Sequence, residues 1–295
     1  MSQIELKGSL VALVTPMKSE GEVDDAALDG LIDWHLESGT HGIVPVGTTG
    51  ESATLDVHEH MQVIERTLRR VDGRVPVVAG TGANATAEAI SLTRDANVAG
   101  VDACLLVTPY YNKPTQEGLY RHYVAIAEQV DVPMVLYNVP PRTACDMSAE
   151  TVARLAPIPQ IIGIKEACGD ADRVRDIRAL VPDDFIVLSG EDAQTFTMFG
   201  HGAVGTISVT ANVLPNLMSK FCECYLDGDV AAAQALDERL QPIHEILFCE
   251  TSPTPTKWAL NQMGRIPDGI RLPLIALSDS HHAEMCSRLR AIGAL

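Results

Sequence analysis

Short runs of apolar and β-branched residues recur along the first two-thirds of the chain: Leu10–Val14, Ile43–Val46, Val75–Ala79, Cys104–Val107, Met134–Tyr137, Ile161–Ile164, Phe185–Leu188 and Val204–Ile207. Runs this short, bounded by Gly, Pro and polar residues, predict buried strands. Between them apolar residues return at three- and four-residue spacing over Asp25–Ser38, Val57–Val71, Ala87–Asn97, Gln116–Gln129, Ala149–Leu155 and Asp172–Leu180, the period of amphipathic helices. Strict alternation of strand and helix predicts a parallel sheet, and near-continuous apolar strands suit a sheet covered on both faces.

Eight successive βα units are the number that closes a TIM barrel, so the expected class is α/β, a (β/α)8 barrel; an open doubly wound sheet is the structural rival. Beyond about residue 212 the pattern is helical, including Val230–Phe248 and Thr254–Met263, which exceeds what eight units need. The expected division is a barrel over residues 1–226 and a C-terminal helical region over 227–295. No solenoid repeat or low-complexity linker interrupts the chain.

Composition narrows the function. With 295 residues, 46% of them hydrophobic, the chain can bury a large core. Its 22 Lys and Arg against 39 Asp and Glu leave a net charge of −17, which repels phosphate backbones and anionic lipid alike, so nucleic-acid and membrane-surface roles are disfavoured. No apolar run approaches a bilayer span and the start lacks a cationic, apolar leader, so a cytoplasmic address is expected. The seven cysteines are an odd set without regular spacing, as expected for reduced thiols, and Cys222 and Cys224 lack the spacing and histidine partners of a metal site.

In parallel barrels the reactive groups sit where strands end and βα loops begin. Here those positions carry Gly47-Thr48-Thr49-Gly50-Glu51-Ser52, Gly80-Thr81-Gly82, Thr108-Pro109-Tyr110-Tyr111-Asn112, Tyr137-Asn138 ahead of Pro140-Pro141-Arg142-Thr143, Lys165-Glu166, Ser189-Gly190-Glu191 and Ser208. Lys165 is the sharpest of these, because it closes the apolar run Ile161–Ile164 and an unpaired buried ammonium is costly. A strand-terminal lysine can snorkel to solvent or pair with its neighbour Glu166. With hydroxyls on neighbouring strands, a desolvated amine available to attack a carbonyl explains it better.

The remaining motifs carry weaker chemistry. The Gly47–Ser52 loop supplies backbone N–H groups and two hydroxyls ahead of a helix, suited to a carboxylate, although a Gly-Thr-rich turn also serves as simple turn chemistry. Gly80–Ala85 superficially matches a dinucleotide fingerprint, which makes a nicotinamide-dependent oxidoreductase the rival enzyme. It stands on the third βα unit, however, and the next strand ends in Thr108 with no acid to hold a ribose. A metabolite sensor with a barrel pocket is the non-enzymatic rival. Tyr110, Tyr111 and Tyr137 fit either mouth packing or proton transfer, Arg142 either a loop charge or a carboxylate clamp, and His58 and His60 are expected at the surface.

Taken in order, GTTGES, TPYYNKPTQEGLY, YNVPPRT, IIGIKEA, LSGED and GTISVTAN resemble the 4-hydroxy-tetrahydrodipicolinate (dihydrodipicolinate) synthase family over nearly the whole chain. The lysine-strand motif alone is shared with other pyruvate-dependent aldolases. The resemblance implies condensation of pyruvate with L-aspartate 4-semialdehyde and no metal or organic cofactor. It makes Lys165 the Schiff-base lysine, Tyr137, Thr48 and Tyr111 a proton relay, Thr49 and the Ile207 backbone the holders of the pyruvate carboxylate, and Arg142 the receiver of the semialdehyde carboxylate. It implies a homo-oligomer, a dimer or dimer of dimers, with Tyr111 acting across the dimer interface. It also implies an L-lysine inhibitor site at the Ala53 carbonyl, His60, Asn84, Glu88 and Tyr110. Val57 departs from the pattern, since sensitive relatives commonly carry histidine there, and weaker lysine binding is expected.

Overall fold

The computed structural model describes residues 4–295. Its strands are β1 (Gly8–Ala12), β2 (Gly42–Val44), β3 (Val78–Gly80), β4 (Ala103–Val107), β5 (Met134–Asn138), β6 (Ile161–Glu166), β7 (Ile186–Ser189) and β8 (Gly205–Ser208). Helices α1 (Asp25–Glu37), α2 (Val57–Val71), α3 (Thr86–Ala99), α4 (Gln116–Ala127), α5 (Pro140–Thr143), α6 (Ala149–Leu155), α7 (Asp172–Arg178) and α8 (Thr195–Gly200) alternate with them. Then come α9 (Pro215–Leu226), α10 (Val230–Ile246), α11 (Thr254–Gln262) and α12 (Asp279–Ile292). All eight expected strands form. The chain divides into two compact units, Pro76–Ile207 with the stretch up to Lys7, and Gly8–Val75 with Ser208–Leu295.

In the unit built on Pro76–Ile207, consecutive strands from β3 to β8 pair in parallel, with Lys165 level with Tyr137 on one side and Leu188 on the other. β4 and β5 are apolar and buried almost throughout, as a sheet covered on both faces requires. Close strand approach is permitted by glycine: a Cβ on Gly163 would lie 2.4 Å from the Ile186 carbonyl oxygen, and one on Gly82 2.3 Å from the Val107 nitrogen. Side-chain caps fix helix starts, Thr115 accepting from the Gly118 N–H and Ser148 from the Thr151 N–H, each contributing about 1 kcal/mol. Gly100, at φ 91°, ends α3 in the left-handed conformation that glycine tolerates.

In the unit built on Gly8–Val75 and Ser208–Leu295, β1 pairs in parallel with β2. Asp56 and Glu59 form a reciprocal capping box at the start of α2, whose His60, Val63, Ile64, Thr67 and Val71 make one buried face. Beside that face α2 meets α1 through Arg66, which binds Asp29 by two 2.8 Å hydrogen bonds and Asp25 by one, and through Arg70 on Asp33. Asn212 bridges loop and strand, donating from Nδ2 to the Ala12 carbonyl at 2.8 Å and accepting the Val14 N–H at 3.0 Å.

Boundaries shift where side chains replace the ladder. β1 stops at Ala12, because the Val14 N–H is taken by Asn212 instead of a neighbouring strand. β3 begins at Val78, because Pro76 has no N–H and that of Val77 is taken by the Asp102 carboxylate at 2.8 Å. β6 continues through Lys165 and Glu166, since backbone pairing carries on past the point where hydrophobicity ends. Among the described residues all seven cysteines are free and no helix is long and apolar enough to cross a membrane.

Candidate active site around Lys165

Strand alternation sends Lys165 and Glu166 to opposite faces of β6. Lys165 is 5% exposed, and its Nζ lies 4.4 Å from the centroid of the Tyr137 ring on β5. It makes no ion pair among the described residues. The space for its stem depends on Gly190, where a Cβ would come within 2.9 Å of Lys165 Cε. The carboxylate whose field reaches it is Glu191, pushed up to about 6 by burial and by neighbouring Asp192, against the opposing pull of Lys165 and Arg142.

Glu166 is spoken for elsewhere, so the pairing of Lys165 with its neighbour does not occur. Its carboxylate accepts from Asn138 Nδ2 at 3.0 Å and from the Cys168 N–H at 2.9 Å. Asn138 Nδ2 also donates to Asp146 at 2.8 Å, and Arg173 closes the network with bonds of 3.0 and 2.9 Å to the two Asp146 oxygens. Burial pushes the Glu166 carboxyl up to about 7, although Arg173, Cys168 and Asn138 pull the other way. The network locks the end of β6 behind Lys165, leaving the amine as the group that faces away from it.

The other candidates in this unit fall into groups. Arg142 is exposed on α5, where Pro140 and Pro141 open a single helical turn. Ile207 is buried in β8. Tyr111 holds a positive φ of 74° and is 88% exposed, its phenol without a hydrogen-bond partner among the described residues. Asn84, Glu88 and Tyr110 come together: Asn112 Nδ2 donates to the Asn84 carbonyl at 2.8 Å, and the Tyr110 phenol is raised by burial and by the Glu88 charge, with the Asn84 backbone opposing.

In the other unit, Thr48, Thr49 and Ala53 share one loop. Thr49 is buried, Thr48 half-buried and Ala53 exposed. Three of the backbone N–H groups of this loop are used within its own turn. The N–H of Gly50 goes to the Gly47 carbonyl at 3.1 Å, that of Glu51 to Thr48 at 3.2 Å and that of Ser52 to Gly47 at 3.3 Å. The turn consumes these three, and it leaves the Thr48 and Thr49 N–H groups, together with their hydroxyls, without a hydrogen-bond partner among the described residues. His60, expected at the surface with His58, is buried on the inner face of α2. Val57 is 54% exposed. Glu191 is named among the strand-end residues of the sequence but given no role, and Lys257 is not singled out, since a lone lysine in a Pro-Thr-rich helix start gives no signal. Among the described residues no cluster of three or more His, Cys, Asp or Glu is arranged for a metal ion.

A buried lysine with no ion pair among the described residues, near the end of a strand of a parallel sheet and beside a tyrosine on the neighbouring strand, is the arrangement that a barrel lyase of the Schiff-base aldolase class requires. The sequence profile of the dihydrodipicolinate synthetase family matches residues 5–292. The 4-hydroxy-tetrahydrodipicolinate synthase of Pseudomonas syringae pv. syringae is 56% identical over 290 residues, 98% of this chain and 99% of the relative. The dihydrodipicolinate synthase of Acinetobacter baumannii, solved in complex with pyruvate, is 49% identical and superposes with a TM-score of 0.97 over 99% of this chain and 100% of that one. A Cyanidioschyzon merolae relative solved with lysine bound is 37% identical, with a TM-score of 0.95 over 98% of this chain and 99% of that one. The chain belongs to the dihydrodipicolinate synthetase family and has its fold, a (β/α)8 barrel followed by C-terminal helices. It is an enzyme with the lyase activity of that family, the synthesis of 4-hydroxy-tetrahydrodipicolinate.

Proposed function

We propose that the reaction proceeds through a Schiff base between Lys165 and pyruvate, followed by addition to L-aspartate 4-semialdehyde. The observation that carries this reading is the desolvated Lys165 amine, 5% exposed and without an ion pair among the described residues, lying over the Tyr137 ring. Attack of Nζ on the keto carbon forms the C–N bond, and loss of the carbonyl oxygen as water gives the iminium. The iminium acidifies the pyruvate methyl group; loss of a methyl proton gives the enamine, which attacks the aldehyde carbon, and the product then cyclises and leaves the lysine. No metal or organic cofactor enters these steps.

Tyr137, Thr48 and Tyr111 are assigned the proton transfers, which hydroxyls in series can perform without a base of fixed charge. Thr49 and the Ile207 backbone are assigned the pyruvate carboxylate. Arg142 is assigned the semialdehyde carboxylate, for which its exposed guanidinium has the planar donor fork. The exposure of Tyr111 supports its action across the interface of a homodimer, itself part of a dimer of dimers. L-Lysine is proposed to bind at the Ala53 carbonyl, His60, Asn84, Glu88 and Tyr110. The barrel is assigned to residues 1–226 and the helical region to 227–295, in a cytoplasmic enzyme.

Borohydride reduction in the presence of pyruvate is expected to fix a covalent adduct on Lys165 alone, located by peptide mass mapping. Lys165→Ala is expected to abolish trapping and lower turnover by roughly three orders of magnitude or more, since the covalent route itself is removed. An adduct on another residue, or none, rejects the reading. Two arms of the same assay test the neighbours. Arg142→Ala should raise KM for the semialdehyde far more than for pyruvate, and equal effects reject its role. Mixing Tyr111→Phe with Lys165→Ala subunits should restore part of the turnover if Tyr111 acts across the interface; no rescue under verified exchange argues against sharing.

A further inference from the structure

The unit built on Gly8–Val75 and Ser208–Leu295 contains a buried ion pair that the proposed chemistry does not use. Lys257, in the first turns of α11, places Nζ 2.5 Å from Glu51 Oε1. Both residues are 4% exposed. The second carboxylate oxygen of Glu51 accepts the backbone N–H of Arg271 at 3.3 Å. Glu51 therefore receives donors from two segments of the C-terminal region, more than two hundred positions away along the chain.

Glu51 also occupies a conformation that its side chain does not favour. Its φ of 58° lies in the left-handed region, where a residue with a Cβ persists only when the surroundings hold it. It ends the turn that carries the two threonine hydroxyls, its N–H donating to the Thr48 carbonyl at 3.2 Å. The next position back, Gly50, cannot relax by accepting a side chain, since a Cβ there would meet Val46 at 2.9 Å. Its carbonyl is tied to the Thr15 hydroxyl at 2.7 Å. The far end of the loop is held by Arg271, whose guanidinium donates to the Thr54 carbonyl at 2.6 Å and to both oxygens of Glu59 at 2.8 and 2.5 Å.

A buried ion pair is a poor device for stability, because desolvation of both charges offsets their attraction and an apolar pair of similar volume does as well. It is a good device for geometry, because a carboxylate with two fixed donors has one position. We infer that Lys257, acting through Glu51, is a positioning residue that holds the Thr48 and Thr49 hydroxyls where the reaction needs them, so that α11 serves the active site. This inference rests on the roles proposed above for Thr48 and Thr49. Those two hydroxyls are left without partners by the turn, so their direction is set by the backbone to which Glu51 is anchored.

The test uses the full-length protein with Lys257→Met, which strands the Glu51 charge, and the paired variant Glu51→Gln/Lys257→Met, which removes both charges and relieves that burden on folding. Wild type is first trapped with pyruvate and borohydride; absence of a Lys165 adduct there counts against the reaction proposed above and not against the positioning role. Given that adduct, the paired variant is expected to keep a thermal midpoint near that of wild type, to form the adduct at saturating pyruvate, to raise KM for pyruvate, and to lower kcat on the order of 10- to 100-fold, the scale of loss when a reacting group is misplaced by about an ångström. Lys257→Met is expected to lose kcat similarly and stability in addition. Recovery of wild-type kcat and pyruvate KM together with stability in the paired variant overturns the inference, since a purely structural pair is replaceable. A paired variant that cannot fold also overturns it, because the pair is then needed by the fold itself.

Discussion

Lys165 and Glu166 are adjacent, both charged in water and both buried, yet they meet opposite fates because a strand turns successive side chains to opposite faces. The glutamate finds an amide and a backbone N–H, while the lysine finds an aromatic ring. This has a consequence for stability. The Glu166 carboxyl titrates at about 7 in the folded protein, pushed up by burial against the pull of Arg173, Cys168 and Asn138, from an ordinary value of 4.5. Below pH 4.5 both folded and unfolded chains hold the proton, and the stabilisation is fully present. As pH rises towards 7 the unfolded chain releases a proton that the folded chain keeps, so stability falls, and above 7 the loss is complete. Urea midpoints measured across this window should fall more steeply for wild type than for Glu166→Gln, by on the order of 3 kcal/mol in total. Parallel profiles for the two proteins would show that Glu166 ionises as freely when folded as when unfolded.

At the scale of elements, β6 and β7 approach so closely at Gly163 that a Cβ would lie 2.4 Å from the Ile186 carbonyl oxygen and 2.7 Å from Ile186 Cβ. Neither atom is the flexible end of a side chain, so the backbone itself must shift. Gly163→Ala is expected to destabilise by about 1–3 kcal/mol or more, read as a lower denaturant midpoint at unchanged slope. An unchanged midpoint would mean that the strands can separate there without cost. The strands themselves were legible because apolar runs and β-branched residues report burial directly, and α2 and α6 begin and end where the three- and four-residue spacing puts them. The ends of β1 and β3 were not, because Asn212 and Asp102 reach backbone groups that local spacing cannot assign. Nor was the use of the Gly50, Glu51 and Ser52 N–H groups within their own turn, since a Gly-Thr-rich sequence does not say which of its N–H groups the turn takes.

Over the whole molecule, a net charge of −17 works against anionic ligands and in favour of cationic ones. On the reading proposed above, Arg142 would offset this field for the substrate, and the exposed Glu88 would add to it for L-lysine. Calorimetric titration is expected to show lysine binding to wild type, weaker than in relatives with histidine in place of Val57 by about 0.5–1.5 kcal/mol, the value of one neutral hydrogen bond. Glu88→Ala should cost a further ~1.5–3 kcal/mol, as loss of a bond to a charged group does. No binding to wild type at millimolar lysine, or unchanged binding to Glu88→Ala, would discard the site.

The order of strands and helices, the placing of Lys165 at the end of its strand and the run of motifs that marks the family were all written in local sequence, because hydrophobic period and strand-end position are properties of neighbours along the chain. Which face of β6 each charge takes could be read from alternation once the strand was known to continue; which partner each charge meets could not. Tertiary structure alone decided that Glu166 joins Asn138, that His60 lies inward, that the loop at Thr48 closes on itself, and that Glu51 is held by Lys257. The cost of burying a charge or an N–H is local, but the group that offsets it is chosen by the fold from anywhere along the chain.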